Sequence, residues 1–402
     1  MSALRIAALV VAIAGVLLRP RNVPAWAVPL LMVTVTFCAG AVHTADMTDA
    51  LDPLRSPLAF LLLAVPLAVM LDRLGFFVAL AARYAGGSRP PRSLVRVLWI
   101  LAALVTTVLN LDAAVVLLTP LYIRIARVRG LDPLLLAYQP ALMACLASSA
   151  LPVSNLTNLI AAERYDLHMT DFVSRLALPS VVAVVVAWFV YVRIFPFDTA
   201  SSRVDHADVD PVALRRGTPV VVFVVIGFTL GDTVGVPAWM VAAVADVWLL
   251  SLVRRVPWRA VPIGAALVAS ALGILAATAA PHLGLTGLAT WSGAGANVAG
   301  FGASVLGANA VNNLPALLIA VRVLPSSALD DGLLWCVLYG VNVGPGLIVS
   351  GSLAGLLWLD ASSRLGVQVD ARAYTRLGVR IALPAIVASA AVLVVLLAVT
   401  NG

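Results

Sequence analysis

The chain has 402 residues, of which 62% are hydrophobic and only 11% charged, and its mean hydropathy is +1.04. No soluble fold buries so much apolar surface from one chain, so composition excludes a soluble protein and predicts a polytopic membrane protein. The formal net charge of +7 comes from arginine alone, since the chain contains no lysine. With no basic face or interleaved aromatics, that charge speaks for topology and anionic lipid and against nucleic acid.

Taken in order, apolar runs at about 3–18 and 24–42 flank a short loop with Arg19 and Arg21, which predicts a cytoplasmic loop and an outside N-terminus. The first run reads as a mature membrane helix rather than a cleaved signal. Asp46, Asp49 and Asp52 then mark an outside loop, and a run at about 57–80 returns to the arginine-rich stretch Arg83 to Arg96.

The next segment, 97–123, has Arg89, Arg92 and Arg96 before it and Arg124, Arg127 and Arg129 after it. Its length suits either one straight crossing or two arms of a re-entrant hairpin. Parity selects the hairpin, because only a hairpin leaves both arginine clusters on one side. Its tip then carries Asn110 and Asp112 to the membrane midplane, where polar groups are costly and usually functional.

Residues 134–162 form a crossing interrupted by L-P-V-S-N-L-T-N, and backbone unwound there is tolerated only where it lines a protein cavity. Glu163, Arg164, Asp166, His168 and Asp171 make an outside loop, and the run 176–195 crosses back. The hydrophilic linker 197–216 is cytoplasmic by its arginines. Runs at 217–235, 237–253 and 259–280 follow. A second polar-centred segment, 290–321 with A-N-A-V-N-N-L-P, and a second broken crossing, 333–359 with V-G-P-G and V-S-G-S, lead to a last helix at 381–399.

The predicted fold is therefore all-α and polytopic, with about ten transmembrane helices, two re-entrant hairpins and two broken helices. The first repeat is 1–196 and the second 217–402. Each holds five full crossings, which makes the two an inverted-topology pair of the kind that builds a midplane binding site from discontinuous helices. P-V-S-N-L (152–156) echoes I-V-S-G-S (348–352), and V-L-N-L (108–111) echoes A-V-N-N (310–313).

Four stretches should meet at that site, offering Asn110, Ser154, Asn155, Thr157, Asn158, Asn309, Asn312, Asn313, Asn342, Ser350 and Ser352, with glycine-exposed backbone at Gly344, Gly346 and Gly351. Helix N-termini and unwound carbonyls among amides suit a small neutral or anionic solute and a monovalent cation. Interhelical glue is the plain alternative for any single amide. Asp112 is the one carboxylate at either tip; it either couples transport to a proton or cation or caps the second arm, and both can hold. Asp246, in mid-run, is either a proton relay or a group facing the bundle interior. Cys38, Cys145 and Cys336 are scattered and read as packing residues without metal or disulfide spacing. No cofactor is expected. No Walker-type loop is present, so the chain does not itself hydrolyse ATP.

N-L-D-A-A-V-V-L-L-T-P (110–120), P-V-S-N-L-T-N-L-I (152–160), V-N-N-L-P (311–315) and V-G-P-G…G-S-L-A-G-L-L-W-L (343–359) together resemble the arsenite permease (arsenical pump membrane protein) family of the ion transporter superfamily. The resemblance runs in order over nearly the whole chain. It implies a non-enzymatic carrier of the bacterial inner membrane that exports arsenite or antimonite, driven by protons or by a partner ATPase. The chain departs from the family at Asn342, where the resemblance leads one to expect an acidic residue, at Gly346 in place of a basic one, and at Ile348 and Val349 in place of Thr-Pro. These departures bear on substrate and coupling ion. The competing readings are a sodium-coupled symporter for a carboxylate or inorganic anion, and a cation/proton antiporter using Asp112. An ATPase on the linker and a homodimer are partners compatible with the sequence but not dictated by it.

Overall fold

The computed structural model describes residues 1–18, 23–85, 90–195, 210–231, 234–285, 287, 292–330, 332–369 and 371–400. Arg19, Arg21, Arg89, Arg203 and Asp331, which bear on the predicted loops, lie outside the described residues, as do positions 197–209 of the linker.

All regular structure among the described residues is helical. The first half comprises α1 (Ser2–Leu18), α2 (Ala27–Cys38), α3 (Thr44–Leu51), α4 (Arg55–Arg73), α5 (Phe76–Ala85), α6 (Pro91–Val108), α7 (Leu111–Val128), α8 (Pro133–Leu146), α9 (Leu156–Tyr165), α10 (Met169–Phe172) and α11 (Leu178–Ile194). The second comprises α12 (Pro211–Leu230), α13 (Ala238–Val253), α14 (Ile263–Ala279), α15 (Gly293–Val311), α16 (Asn313–Val323), α17 (Leu333–Val343), α18 (Leu353–Arg364) and α19 (Ala371–Thr400).

Six helical runs are long and apolar enough to cross a membrane: Thr44–Arg73, Pro91–Val108, Met169–Ile194, Pro211–Leu230, Trp258–His282 and Ala371–Thr400. Polarity is distributed inside out. Val247 and Leu306 are 69% and 72% exposed on the outer faces, whereas Asn110, Asn155, Asn158, Asn312 and Asn342 are at most 2% exposed. That is the arrangement of a protein whose solvent is lipid. The chain is an all-α, multi-pass membrane protein.

Three boundaries differ from the sequence reading. The acidic stretch read as an outside loop is helical: His43 N–H donates to Asp46 Oδ2 at 2.8 Å, which caps α3, and the helical run continues to Arg73. The run 57–80 is two helices, because the chain turns at Gly75 with φ +79°. The hairpin also extends beyond the apolar segment 97–123, with arms of 18 residues each. At ~1.5 Å per residue an arm spans about 27 Å, since helix continues through the arginine clusters at either end.

α4 is central. It packs on α13, α14, α7 and α9. α1, α2 and α14 form one group, while α6, α7, α8, α11, α18 and α19 form another. The two halves interlock through α4 with α13, α7 with α18 and α11 with α19. Trp358 Nε1 donates to the Ala137 carbonyl at 2.6 Å and Tyr138 Oη to that of Tyr374 at 2.7 Å, which ties α18 and α19 to α8.

Candidate functional site

Two hairpin turns and two helix breaks are built to one plan. Tyr122 Oη donates to the Leu98 carbonyl at 2.5 Å, joining residues 12 positions either side of Asn110. α6 and α7 are therefore antiparallel arms, and Asn110 is the turn. Its side-chain oxygen accepts from Asp112 N–H at 2.9 Å, capping α7. At the second turn Asn312 caps α16 in the same way, accepting from Leu314 N–H at 3.3 Å. Asn312 holds φ +78° and ψ 151°, a conformation that costs a non-glycine residue about 1–3 kcal/mol.

The first break is a 3-10 turn, Pro152–Ser154, followed by Asn155, whose side chain caps α9 through Thr157 N–H at 3.2 Å. The second contains the 3-10 turns Gly344–Gly346 and Val349–Gly351 and then Ser352, whose Oγ caps α18 through Gly355 N–H at 3.1 Å. By capping role Asn155 corresponds to Ser352, one position on from the pairing of 152–156 with 348–352. Proline and serine break the first helix, and glycine and serine the second. In each a polar N-cap restarts it.

Hydrogen bonds join the four stretches in a chain. Thr107 Oγ1, on the first arm, donates to the Ala147 carbonyl in the first break at 2.9 Å. Asn342 then bridges the breaks: its Oδ1 accepts from Asn155 Nδ2 at 3.1 Å and Thr157 Oγ1 at 2.6 Å, and its Nδ2 donates to Asn158 Oδ1 at 2.6 Å. Asn309 Nδ2 donates to the Gly344 carbonyl at 2.8 Å, and Asn312 Nδ2 to that of Ser350 at 3.1 Å, fastening the second hairpin to the second break. Ser154 and Asn158 turn inward on their own break, donating to the Ser148 carbonyl at 2.7 and 3.0 Å.

The glycines serve closeness. A Cβ on Gly344 would lie 3.0 Å from Val305 Cα, and one on Gly351 2.9 Å from Pro345 Cα and 3.2 Å from Asn309 Oδ1. Gly346 accepts its neighbours similarly, with Ala382 Cβ at 3.1 Å from the added atom. The close approach of α15 backbone demands glycine at 344, and the fold of the break back on Pro345 demands it at 351.

Several buried polar atoms in these stretches have no hydrogen-bond partner: Thr106 Oγ1, Asn110 Nδ2, Asp112 Oδ1, Ser148 Oγ, Ser149 Oγ and Asn309 Oδ1. Each such group costs about 1–3 kcal/mol until something satisfies it, and a polar solute or ion that reached them would offset that cost. Asp112 does not cap α7, since Asn110 does, and its Oδ1 is left for other chemistry. Thr106, Ser148 and Ser149 were not among the residues singled out by sequence. The pair Ser148–Ser149 was legible as hydroxyls before the Leu-Pro of the break; Thr106 lay hidden in an apolar arm. Asn313, 7% exposed, begins α16 beside Asn312. Asp246 lies elsewhere, 7% exposed with Oδ1 unpartnered, on α13 against α4 and α12.

The electrostatics are simple. The N-termini of α7, α9, α16 and α18 all begin at the turns and breaks and bring partial positive charge. Asp112 supplies the one carboxylate of the four stretches, which contain no arginine.

The model of the citrate transporter family matches residues 5–340. An arsenical pump membrane protein of Escherichia coli is 26% identical over 398 residues, covering 91% of this chain and 92% of that protein. One from Yersinia enterocolitica is 25% identical over 394 residues, covering 90% and 91%. An uncharacterized transporter of Synechocystis is 29% identical over 190 residues, covering 46% of this chain and 29% of that protein.

Proposed function

The chain belongs to the citrate transporter family and is a membrane transporter rather than an enzyme, and on that premise we propose that it exports arsenite or antimonite across the bacterial inner membrane in exchange for protons. The observation that carries this reading is the similarity to arsenical pump membrane proteins along about nine-tenths of both chains. The site's chemistry supports it. Arsenite is a small uncharged hydroxy acid at neutral pH, matched by amides and hydroxyls without arginine. In this reading residues 1–196 and 217–402 are inverted repeats whose hairpins re-enter the membrane. Asn155, Thr157, Asn158 and Asn342, bonded to one another, hold the breaks in register. The groups left free around them, with Asn110, Asn312, Ser350 and Ser352, contact the solute. Asp112 takes up and releases the coupling proton, and Asp246 relays it. A cytoplasmic ATPase on the linker is not required.

The second reading is a sodium-coupled symporter of a carboxylate, favoured by the family's description and by the unpartnered oxygens of Thr106, Asp112, Ser148 and Ser149, the donor type a sodium ion takes. Purified protein in liposomes decides between them. Arsenite flux driven by a pH gradient and indifferent to sodium is the expected result. Citrate uptake that follows sodium, with no arsenite flux, overturns the first reading. Sodium–proton exchange without either solute would make the chain a cation antiporter.

A further inference from the structure

A groove of about 730 Å³ runs between α6 and α12, floored by α5. α5 packs on both neighbours, and it meets α12 closely: a Cβ on Gly217 would lie 2.4 Å from the ring of Phe76. The walls are leucine, valine and phenylalanine, and Leu104 and Val222, 59% and 48% exposed, leave the groove open sideways to the bilayer. The only charges on the described lining are Arg83 and Arg215, neither with a carboxylate partner among the described residues. The lining also includes Leu109, next in sequence to the hairpin turn at Asn110.

We propose that this groove holds one anionic glycerophospholipid, its phosphate between Arg83 and Arg215 and an acyl chain running toward the hairpin tip. Length and charge together select that occupant. The α12 lining extends from Leu214 to Val225, which at ~1.5 Å per residue is about 16 Å, the depth of one leaflet of a ~30 Å core. Guanidinium pairs bind phosphate oxygens in a fork and repel a choline head, so a zwitterionic lipid fits less well. A free phosphate would leave the apolar walls without a partner. Because α6 is the leading arm of the first hairpin, the lipid braces that arm against α5 and α12. The inference rests on the membrane fold and not on the solute carried, so its test uses no solute.

The test is native mass spectrometry of the delipidated full chain, titrated with palmitoyl-oleoyl phosphatidylglycerol or the matched phosphatidylcholine. The expected result is a first phosphatidylglycerol bound roughly tenfold more tightly than phosphatidylcholine. Arg83→Gln with Arg215→Gln brings it to the phosphatidylcholine value. Val222→Trp, which narrows the groove with both arginines in place, weakens both lipids. Arg372→Gln with Arg376→Gln, on the exposed basic end of α19, changes nothing. Equal affinity of the unaltered chain for the two lipids overturns the proposal. So does loss of the preference from the α19 pair instead of the groove pair, or a Val222→Trp chain that binds as before. Melting temperature, measured on each variant, shows that it is folded.

Discussion

Asn342→Ala removes three hydrogen bonds at once, from a side chain 1% exposed to partners that are themselves at most 2% exposed. At about 1 kcal/mol net for each bond the loss is about 3 kcal/mol, and more where Asn155 Nδ2, Thr157 Oγ1 or Asn158 Oδ1 is left without water. For a chain of this length that corresponds to a fall in melting temperature of roughly 3–6 °C. Thermal melting in detergent, followed by intrinsic fluorescence, measures it. Because Thr157 loses the same bond, Asn342→Ala and Thr157→Val should be coupled by about 1 kcal/mol in a double-mutant cycle. Asn342→Asp should fall between, since an oxygen then faces Asn158 Oδ1 and one bond is lost unless the acid is protonated. A fall below about 1 °C for the alanine variant, or strict additivity with Thr157→Val, would refute the idea that Asn342 joins the two breaks.

The other expectations can be stated briefly. Asp112→Asn should melt no lower than the unaltered chain, because Oδ1 has no partner to lose. Its solute flux in liposomes should no longer vary with pH, and an unchanged pH profile would remove Asp112 from coupling. Asn312→Ala loses both the cap of α16 and the bond to the Ser350 carbonyl while keeping the strained φ, so it should be destabilised by about 2 kcal/mol. Asn312→Gly, which relieves the backbone, should be milder by about 1 kcal/mol, and the order of their melting temperatures checks this. Gly351→Ala meets Pro345 Cα at 2.9 Å, a backbone contact that cannot yield, and should cost about 1–3 kcal/mol together with solute flux.

How much of this was legible varies with the kind of contact. The breaks could be located because Pro152, Ser154 and Asn155, like Gly344 to Ser352, are residue types that lipid-facing helix does not tolerate. The hairpin turn at Asn110 could be located because arginines lie on both its flanks. The cap stayed open: Asp112 was read as either a coupling group or a cap, the amide two positions earlier caps the arm, and nothing in the local string ranks one above the other. Gly344 and Gly351 looked like exposed backbone for a solute. They are closeness glycines, a role that exists only once α15 lies against Gly344 and the break folds Pro345 onto Gly351.

The apolar segments and most of the spots where polar groups interrupt them follow from the string alone, because hydropathy acts locally on each segment as it meets the bilayer. The partners of those polar groups do not follow from it. Asn342 meets Asn155 across 187 positions of sequence and Asn309 meets Gly344 across 35, and such pairs depend on how helices approach one another in three dimensions. So does the groove between α6 and α12, which no single segment contains. Local solvation set the elements, and packing decided which of their amides bind one another and which stay free.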